Sequence, residues 1–395
     1  MSKAIIDDLK IKGLLTRSVE KIYPSKEFLE QKLRSGEQIS IYLGIDPTAP
    51  DLHLGHSTNF LVLKKFQELG HEVIIVIGDF TARIGDPTGK DETRKPLTEK
   101  EISENSKTYK QQIGKILDLR KTEFKQNGKW LDKISLREFI KIASMVSVQQ
   151  LLHREMFQRR IKKGQSIAQH EFIYPLLQGY DSVAMNIDGE IGGTDQTFNM
   201  LVGRTLMEKF LTKEKFIITT RLLENPLSGK KLMSKSEGNY VSLQDPPYEM
   251  YSKIMVLPDE VVFTCFELCT EVPLEKINAL KSGRIMKAKQ ELAFEITKMY
   301  HGEKEAEKAR DKWDKVFSKK ELPSEIEEFE VRGGPMPLGI FIADWLKVSN
   351  SEAKRLIGEQ NAVKVNDVLV IDLNYEVKRG DIVRVGPRKF VKVKE

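Results

Sequence analysis

The stretch Asp46-Pro-Thr-Ala-Pro-Asp-Leu-His-Leu-Gly-His56 decides the fold of this 395-residue chain. It follows a run over 39–45 in which apolar residues alternate with others, and it precedes a segment over 60–69 whose apolar residues recur at helical spacing as far as Gly70. The pattern predicts a strand, a tight proline-rich turn and the start of a helix.

Such a junction is a natural anion site, because the first N–H groups of a helix lack partners and the helix dipole is positive there. His53 and His56 can face one anion, and Gly55 lets a ligand approach the backbone. Phosphate is the expected ligand. Two other interpretations stay open at this point: zinc ligation, which needs a third ligand that does not lie nearby in the sequence, or two ordinary histidines at a helix start.

A second stretch, Gly229-Lys-Lys-Leu-Met-Ser-Lys-Ser-Glu-Gly-Asn239, is a polar loop with three lysines between glycines. A lysine on a mobile loop can close over a polyphosphate. Together, the two stretches resemble the signatures of class I aminoacyl-tRNA synthetases, HIGH (His53-Leu54-Gly55-His56) and KMSKS (Leu232-Met233-Ser234-Lys235-Ser236). Leu232 stands where the family has its first lysine. Lys230 and Lys231 precede it, and which residue takes over that role stays open.

Length, net charge, cysteine content and the distribution of apolar residues limit the possible classes of protein. The length favours two or three domains, and the net charge of +6 permits a polyanionic partner. Two cysteines, Cys265 and Cys269, are too few for a disulfide framework or a closed zinc site, so we expect a reducing, cytoplasmic location. No apolar run approaches the roughly 20 residues needed to span a bilayer, and the N-terminus lacks an apolar signal core, so we expect no membrane association.

The run over 73–77 is rich in β-branched residues and is typical of a buried parallel strand. With the first strand it predicts an α/β fold, a Rossmann-like doubly wound parallel sheet. The loop that follows, 78–90, combines glycines with Asp86 and Lys90, and Arg94 comes soon after. Loops after parallel strands carry ligand contacts. The chain from 97 to 128 reads as polar and helical.

A helix over 167–185, with Ser166 and Gln169 as its capping box, carries Tyr174, Gln178 and Asp181 at i, i+4 and i+7. Three hydrogen-bonding groups therefore share one face of an otherwise apolar helix, which indicates recognition of a small polar molecule. A glycine loop with polar tips, 192–196, follows this helix.

These segments narrow the resemblance to the tyrosyl-tRNA synthetase family. The matching patterns, in chain order within 40–236, are Tyr42-x-Gly44-x-Asp46-Pro47-Thr48, Gly85-Asp86-Pro87, Tyr174-x-x-x-Gln178-x-x-Asp181 and Gly193-x-Asp195-Gln196. Thr197-Phe198 replaces the Trp-Gly of many members. That change and the Ser-Lys-Ser loop resemble the second bacterial subtype.

The resemblance implies roles for individual residues. In the tyrosine site, Tyr42 and Asp181 would hold the phenol, Asp86, Tyr174 and Gln178 the ammonium, and Gln196 the carboxylate region, with Gly44, Asp46 and Thr81 beside them. The ATP site would consist of Gly55, His56, Gly193, Asp195 and 232–236. Catalysis would rest on His53, His56, Thr48 and Lys235, with Lys90 and Arg94 as candidates on a pyrophosphate loop.

The resemblance also implies substrates, partners and a domain plan. The substrates would be L-tyrosine, ATP with Mg²⁺ but no dedicated protein metal site, and tRNA(Tyr). Residues 1–225 would form the catalytic domain, with a helical insertion over about 120–165 at a homodimer interface. Residues 226–317 would form the lysine loop and a helical tRNA-contacting domain, followed by a linker over 318–337.

The tail over 338–395 is predicted to be a small α+β module, with two short helices followed by alternating strands. It resembles an RNA-binding module shared by a small-subunit ribosomal protein and pseudouridine synthases. Lys354, Arg355 and Lys364 would be its phosphate contacts. Two rival functions are a tryptophanyl-tRNA synthetase, which shares the fold but has no use for a Tyr and Asp phenol site, and a synthetase-like protein that binds RNA without charging it.

Overall fold

The computed structural model describes residues 4–90, 92, 96–229, 231–233, 240–317, 327–331, 334–366, 368–386 and 389–394. The chain divides into two compact units, Met1–Glu307 and Lys308–Glu395. In the described part of the chain, no helix is both long enough and apolar enough to cross a membrane.

The first unit is built on a six-stranded sheet. Its strands are β1 Val19–Tyr23, β2 Ser40–Ile45, β3 Glu72–Ile77, β4 Thr122–Gln126, β5 Gly189–Gly193 and β6 Phe216–Thr220. The strand order is β1-β6-β5-β2-β3-β4; β1 pairs antiparallel with β6, and every other pair is parallel. This arrangement confirms the predicted doubly wound α/β fold.

Helices connect these strands and continue beyond them. They are α1 Asp8–Thr16, α2 Lys26–Arg34, α3 Leu54–Glu68, α4 Glu99–Ser106, α5 Tyr109–Ile113, α6 Gly128–Leu131, α7 Leu136–Ala143, α8 Val148–Leu152, α9 Glu155–Lys162, α10 Gln169–Met185, α11 Thr197–Leu211, α12 Pro247–Met255, α13 Val262–Cys269, α14 Leu274–Lys281, α15 Ile285–His301 and α16 Glu303–Phe317. The last of these begins in the first unit and ends in the second.

The strand order determines where the functional crevice lies. The chain runs outward from β2 through β3 to β4, then returns to place β5 on the other side of β2. At such a reversal the loops after two neighbouring strands diverge and leave a crevice at their carboxyl ends. Here those loops begin at Asp46 and Thr194, so the two motif segments flanking the crevice come from opposite halves of the sheet.

Two local predictions were wrong. The segment over 97–128 was expected to be helical throughout, but β4 pairs with β3 at the sheet edge. An edge strand can carry mostly polar side chains, so its composition did not distinguish it from a polar helix. Helix α10 begins at Gln169 rather than at residue 167. Its cap is the Glu171 carboxylate, which accepts from the Ala168 N–H at 2.8 Å, instead of the predicted Ser166 box.

The second unit contains a five-stranded sheet in the order β10-β9-β12-β13-β7 and a two-stranded ribbon of β11 and β8. Its elements are β7 Glu327–Glu330, β8 Met336–Pro337, α17 Leu338–Leu346, α18 Asn350–Lys354, β9 Val363–Val365, β10 Val368–Leu369, β11 Glu376–Val377, β12 Ile382–Val385 and β13 Lys389–Lys394. A strand thus lies inside the predicted 318–337 linker: β7 pairs in parallel with β13, so the sheet of this module includes residues before 338.

Candidate active site

A cavity of about 400 Å³ opens at the carboxyl ends of β2 and β5. Many of the residues singled out from the sequence line it. They are Gly44, Asp46, Thr48, His53, Gly55, His56, Thr81, Asp86, Tyr174, Gln178, Asp181, Gly193, Asp195, Gln196 and Met233. The structure therefore brings together residues from five separate segments of the chain.

His53 and His56 cap the start of α3 for each other. The Nδ1 atom of His53 accepts from the Gly55 N–H at 3.2 Å, and the Nδ1 atom of His56 accepts from the His53 N–H at 3.2 Å. Their ring centroids lie 4.0 Å apart. Because each Nδ1 is an acceptor, each neutral ring carries its proton on Nε2 and presents a donor there. These donors add to the positive end of the helix dipole.

Two described residues of the lysine-rich segment, Lys231 and Met233, line the same cavity. Lys231 donates to the Asp195 carboxylate at 2.7 Å, and both residues line the cavity together with Met233. A Cβ atom added at Gly55 would lie 3.8 Å from the Cβ of Met233. Lys231 is thus the described residue best placed for the role left open by Leu232, which does not line the cavity. Ser234, Lys235 and Ser236 lie outside the described residues.

The deepest part of the cavity is acidic. Asp181 is 3% exposed and accepts from Trp130 Nε1 at 2.7 Å and from Asn127 Nδ2 at 3.3 Å. Burial raises the pKa of this carboxyl well above its ordinary value, opposed by the two hydrogen bonds. Neither Trp130 nor Asn127 was singled out from the sequence. The position of Asn127 directly after the edge strand β4 was a local indication that it could contact a ligand site.

Asp46 is held by two hydroxyl groups. Tyr174 donates to its Oδ2 at 2.9 Å and Thr81 to its Oδ1 at 2.6 Å. A Cβ atom at Gly78 would lie 1.9 Å from Asp46 Oδ1, so only glycine fits there. Burial, followed by the nearby Asp46 and Asp86 carboxylates, raises the pKa of the Tyr174 phenol. The phenol therefore stays a donor at neutral pH.

A chain of amides connects the other side of the cavity. Gln196 donates to Asp86 Oδ2 at 2.7 Å. Asn199 then donates from Nδ2 to Gln196 Oε1 at 3.1 Å and to Gln178 Oε1 at 3.0 Å. Three predicted ligand residues and Asn199 thus form one hydrogen-bonded row, and the carboxylate of Asp86 at its end can bind an ammonium group.

Tyr42 departs from its expected place. The side chain is fully buried and is not among the residues lining the cavity. Its hydroxyl lies 3.0 Å from Ser182 Oγ and 3.4 Å from the carbonyl oxygen of Gln178, so it contacts the back of α10. Burial, followed by the Glu190 and Asp181 charges, raises the pKa of this phenol.

Other predicted residues lie elsewhere. Lys90 is exposed and does not line the cavity, and Arg94 lies outside the described residues. Lys354, Arg355 and Lys364 are exposed on the second unit. Within the part of the chain that the structure describes, no group of three or more His, Cys, Asp or Glu side chains is arranged to hold a metal ion.

The sheet order, the anion site at the start of α3 and the acidic, amino-acid-sized cavity beside it define a class I aminoacyl-tRNA synthetase. Residues 34–318 match the family model of the tRNA synthetases class I (W and Y). The chain is 46% identical over 408 residues to the tyrosine–tRNA ligase of Carboxydothermus hydrogenoformans, with 98% of each chain covered. It belongs to the tyrosyl-tRNA synthetase family, the tyrosine–tRNA ligases.

Other comparisons agree. The chain is 42% identical to the tyrosine–tRNA ligase of Thermotoga maritima, with 96% of each chain covered, and 41% identical to a tyrosine–tRNA ligase 2 of Clostridium acetobutylicum, with 99% of each covered. The latter supports the second subtype. A C-terminally truncated mitochondrial tyrosyl-tRNA synthetase of Aspergillus nidulans shares the fold, with a TM-score of 0.65 at 22% identity over 78% of this chain and 94% of that one.

Proposed function

We propose that this cavity joins L-tyrosine to ATP and then passes the activated tyrosine to tRNA(Tyr). One observation carries the proposal: a buried acidic end and a helix N-terminus capped by two histidines open into the same cavity. The acidic end suits a phenol and an ammonium group, and the helix end suits phosphates.

The first step needs little covalent work from the protein. The tyrosine carboxylate attacks the α-phosphorus of ATP, and the bond to pyrophosphate breaks. A carboxylate is already deprotonated, so no general base is required, and the gain comes from positioning and from charge stabilisation. We assign the donors to His53, His56 and Thr48, together with Lys235, which lies outside the described residues. In this assignment Lys231 adds a second cation near Asp195.

Selection of tyrosine would rest on the buried acidic end. Asp181 already accepts two hydrogen bonds, and a third from a substrate phenol would complete its coordination. Phenylalanine would leave that buried group without the hydrogen bond, which is costly. Asp86 and the carbonyl end of the Gln178 amide would receive the ammonium group. The buried side chain of Tyr42 would pack against α10 outside the cavity and stabilise the position of that helix.

Three finer points complete the proposal. Magnesium would enter as part of the ATP complex. A homodimer would bury the apolar face of the 136–161 region, where Leu136, Ile140 and Val148 are 75%, 60% and 60% exposed. A cytoplasmic location would keep the two free, buried cysteines reduced.

The test is ATP–pyrophosphate exchange with each of the twenty amino acids in turn, followed by charging of total tRNA with the amino acid that supports exchange. We expect exchange with tyrosine alone. Exchange with tryptophan would assign the other branch of the matched family, and no exchange with any amino acid would reject an activating enzyme. Analytical ultracentrifugation of the same preparation tests the dimer.

A further inference from the structure

Beside the cavity lies a buried ion pair between Lys215, just before β6, and Glu190, which belongs to β5 and lines the cavity. The two side chains are 0% and 2% exposed. Moving two charges out of water costs more than their attraction returns unless other groups also bind them, so a buried pair is weak evidence for a stabilising role. The position of this pair beside the cavity therefore points to another role.

The fold makes room for Lys215 between α10 and α11. A Cβ atom at Gly203 would lie 2.6 Å from Lys215 Nζ, and one at Gly179 would lie 3.0 Å from the Gly203 nitrogen. Two glycines therefore let the helices approach closely while leaving a channel for the ammonium group. Lys215 donates to Ser182 Oγ at 2.7 Å as well as to Glu190, and Ser182 in turn contacts the hydroxyl of Tyr42.

Glu190 connects this pair to the substrate site. One carboxylate oxygen binds Lys215, and the other accepts from Gln178 Nε2 at 3.0 Å. An amide has a donor end and an acceptor end, and this contact commits the donor end to Glu190. The acceptor end, Oε1, is then the end that receives the Asn199 N–H and a substrate ammonium group.

We propose that Lys215 is a positioning residue for tyrosine binding: it holds Glu190, and Glu190 holds the Gln178 amide with its oxygen available to the substrate ammonium. The inference rests on the proposed function, since it requires that Gln178 binds tyrosine. Lys215 touches neither substrate. By binding one carboxylate oxygen of Glu190, it fixes the other oxygen towards the Gln178 amide.

The test is a double-mutant cycle with Lys215→Met, Glu190→Gln and the double variant, measured by ATP–pyrophosphate exchange. Lys215→Met should raise the KM for tyrosine about tenfold with little change in kcat or in the KM for ATP, because an interaction present in both ground and transition states is lost. The double variant should return the KM for tyrosine to within about threefold of the parent, since a glutamine oxygen can accept from Gln178 without a charge to neutralise.

Arg160→Met is the matched control. Arg160 and Glu171 form an equally buried pair, with side chains 1% and 2% exposed, at the start of α10 and outside the cavity lining. This variant should lower the melting temperature and leave the KM for tyrosine unchanged. A generally loosened α10 would instead raise that KM in both the control and Lys215→Met, which would overturn the inference.

Two further results would overturn it: a folded Lys215→Met protein with the parent KM, or a double variant no better than the worse single variant. If Lys215→Met does not fold, the comparison of Glu190→Gln with the double variant decides, with a higher KM expected for Glu190→Gln and equal values refuting the proposal. A parent protein without tyrosine-dependent exchange would reject the proposed function itself, which keeps the two failures distinct.

Discussion

Replacing Asp181 with alanine should remove much of the preference for tyrosine over phenylalanine. The carboxylate is 3% exposed, and Trp130 and Asn127 donate to it. Leaving a buried group without its hydrogen-bond partner costs about 1–3 kcal/mol, so the bond between the tyrosine phenol and Asp181 should contribute about that much. Phenylalanine makes no such bond.

The free energy of this lost hydrogen bond predicts the change in selectivity between tyrosine and phenylalanine. Since about 1.4 kcal/mol is a factor of ten, kcat/KM for tyrosine should fall by roughly 5- to 150-fold relative to kcat/KM for phenylalanine. The variant also leaves the N–H groups of Trp130 and Asn127 without their acceptor, but that cost falls on both substrates equally. The ratio of the two kcat/KM values therefore isolates the contact with the phenol.

ATP–pyrophosphate exchange with tyrosine and with phenylalanine, at saturating ATP, measures this ratio. Asp188→Ala is a control, because Asp188 is a half-buried aspartate that accepts from Ser40 N at 2.9 Å and does not line the cavity. The control should be less stable than the parent but equally selective. An Asp181→Ala enzyme that still preferred tyrosine to the parental degree would refute the assignment of Asp181 to the phenol.

Three other outcomes are expected. Lys235→Ala should raise the barrier to tyrosine activation by about 3 kcal/mol with tyrosine affinity retained, measured by single-turnover kinetics and equilibrium dialysis; equal losses in both would contradict its role at the phosphates. Removing residues 318–395 should weaken tRNA binding and charging but spare adenylate formation, and loss of adenylate formation would make the module structural. Burial lowers the pKa of His71 from 6.5 to about 4, so the unfolded chain binds the proton first and stability should fall as pH drops from 6.5 towards 4. In urea unfolding, His71→Gln should flatten that slope, and an unchanged slope would exclude His71 as its source.

Local patterns predicted the parts of the site that are local in the chain. The anion turn before α3 and the shared face of Tyr174, Gln178 and Asp181 both follow from spacing within a single element. The closeness of these segments to each other came from the resemblance, because the sheet order brings β2 and β5 together across more than a hundred residues.

The residues that were missed depend on contacts between elements. In the sequence, Lys215 and Glu190 look like ordinary charged residues near strand ends. Their burial and pairing depend on the space that Gly203 leaves between α10 and α11. Asn127 and Trp130 follow β4, an edge strand whose polar sequence was interpreted as part of a helix. For Tyr42, the resemblance supplied a role, but the direction of its hydroxyl depends on Ser182, which no local pattern reveals.

The strand β7 has a practical consequence for anyone isolating the C-terminal module. A fragment that starts at Leu338 would lack β7, and the backbone groups of Lys389–Lys394 that normally pair with it would become an open edge. Bare sheet edges recruit other strands, so such a fragment should self-associate. Starting the fragment upstream of Glu327 keeps β13 paired and leaves β7, with its three glutamates, as the outer strand, where charged side chains oppose pairing with other chains.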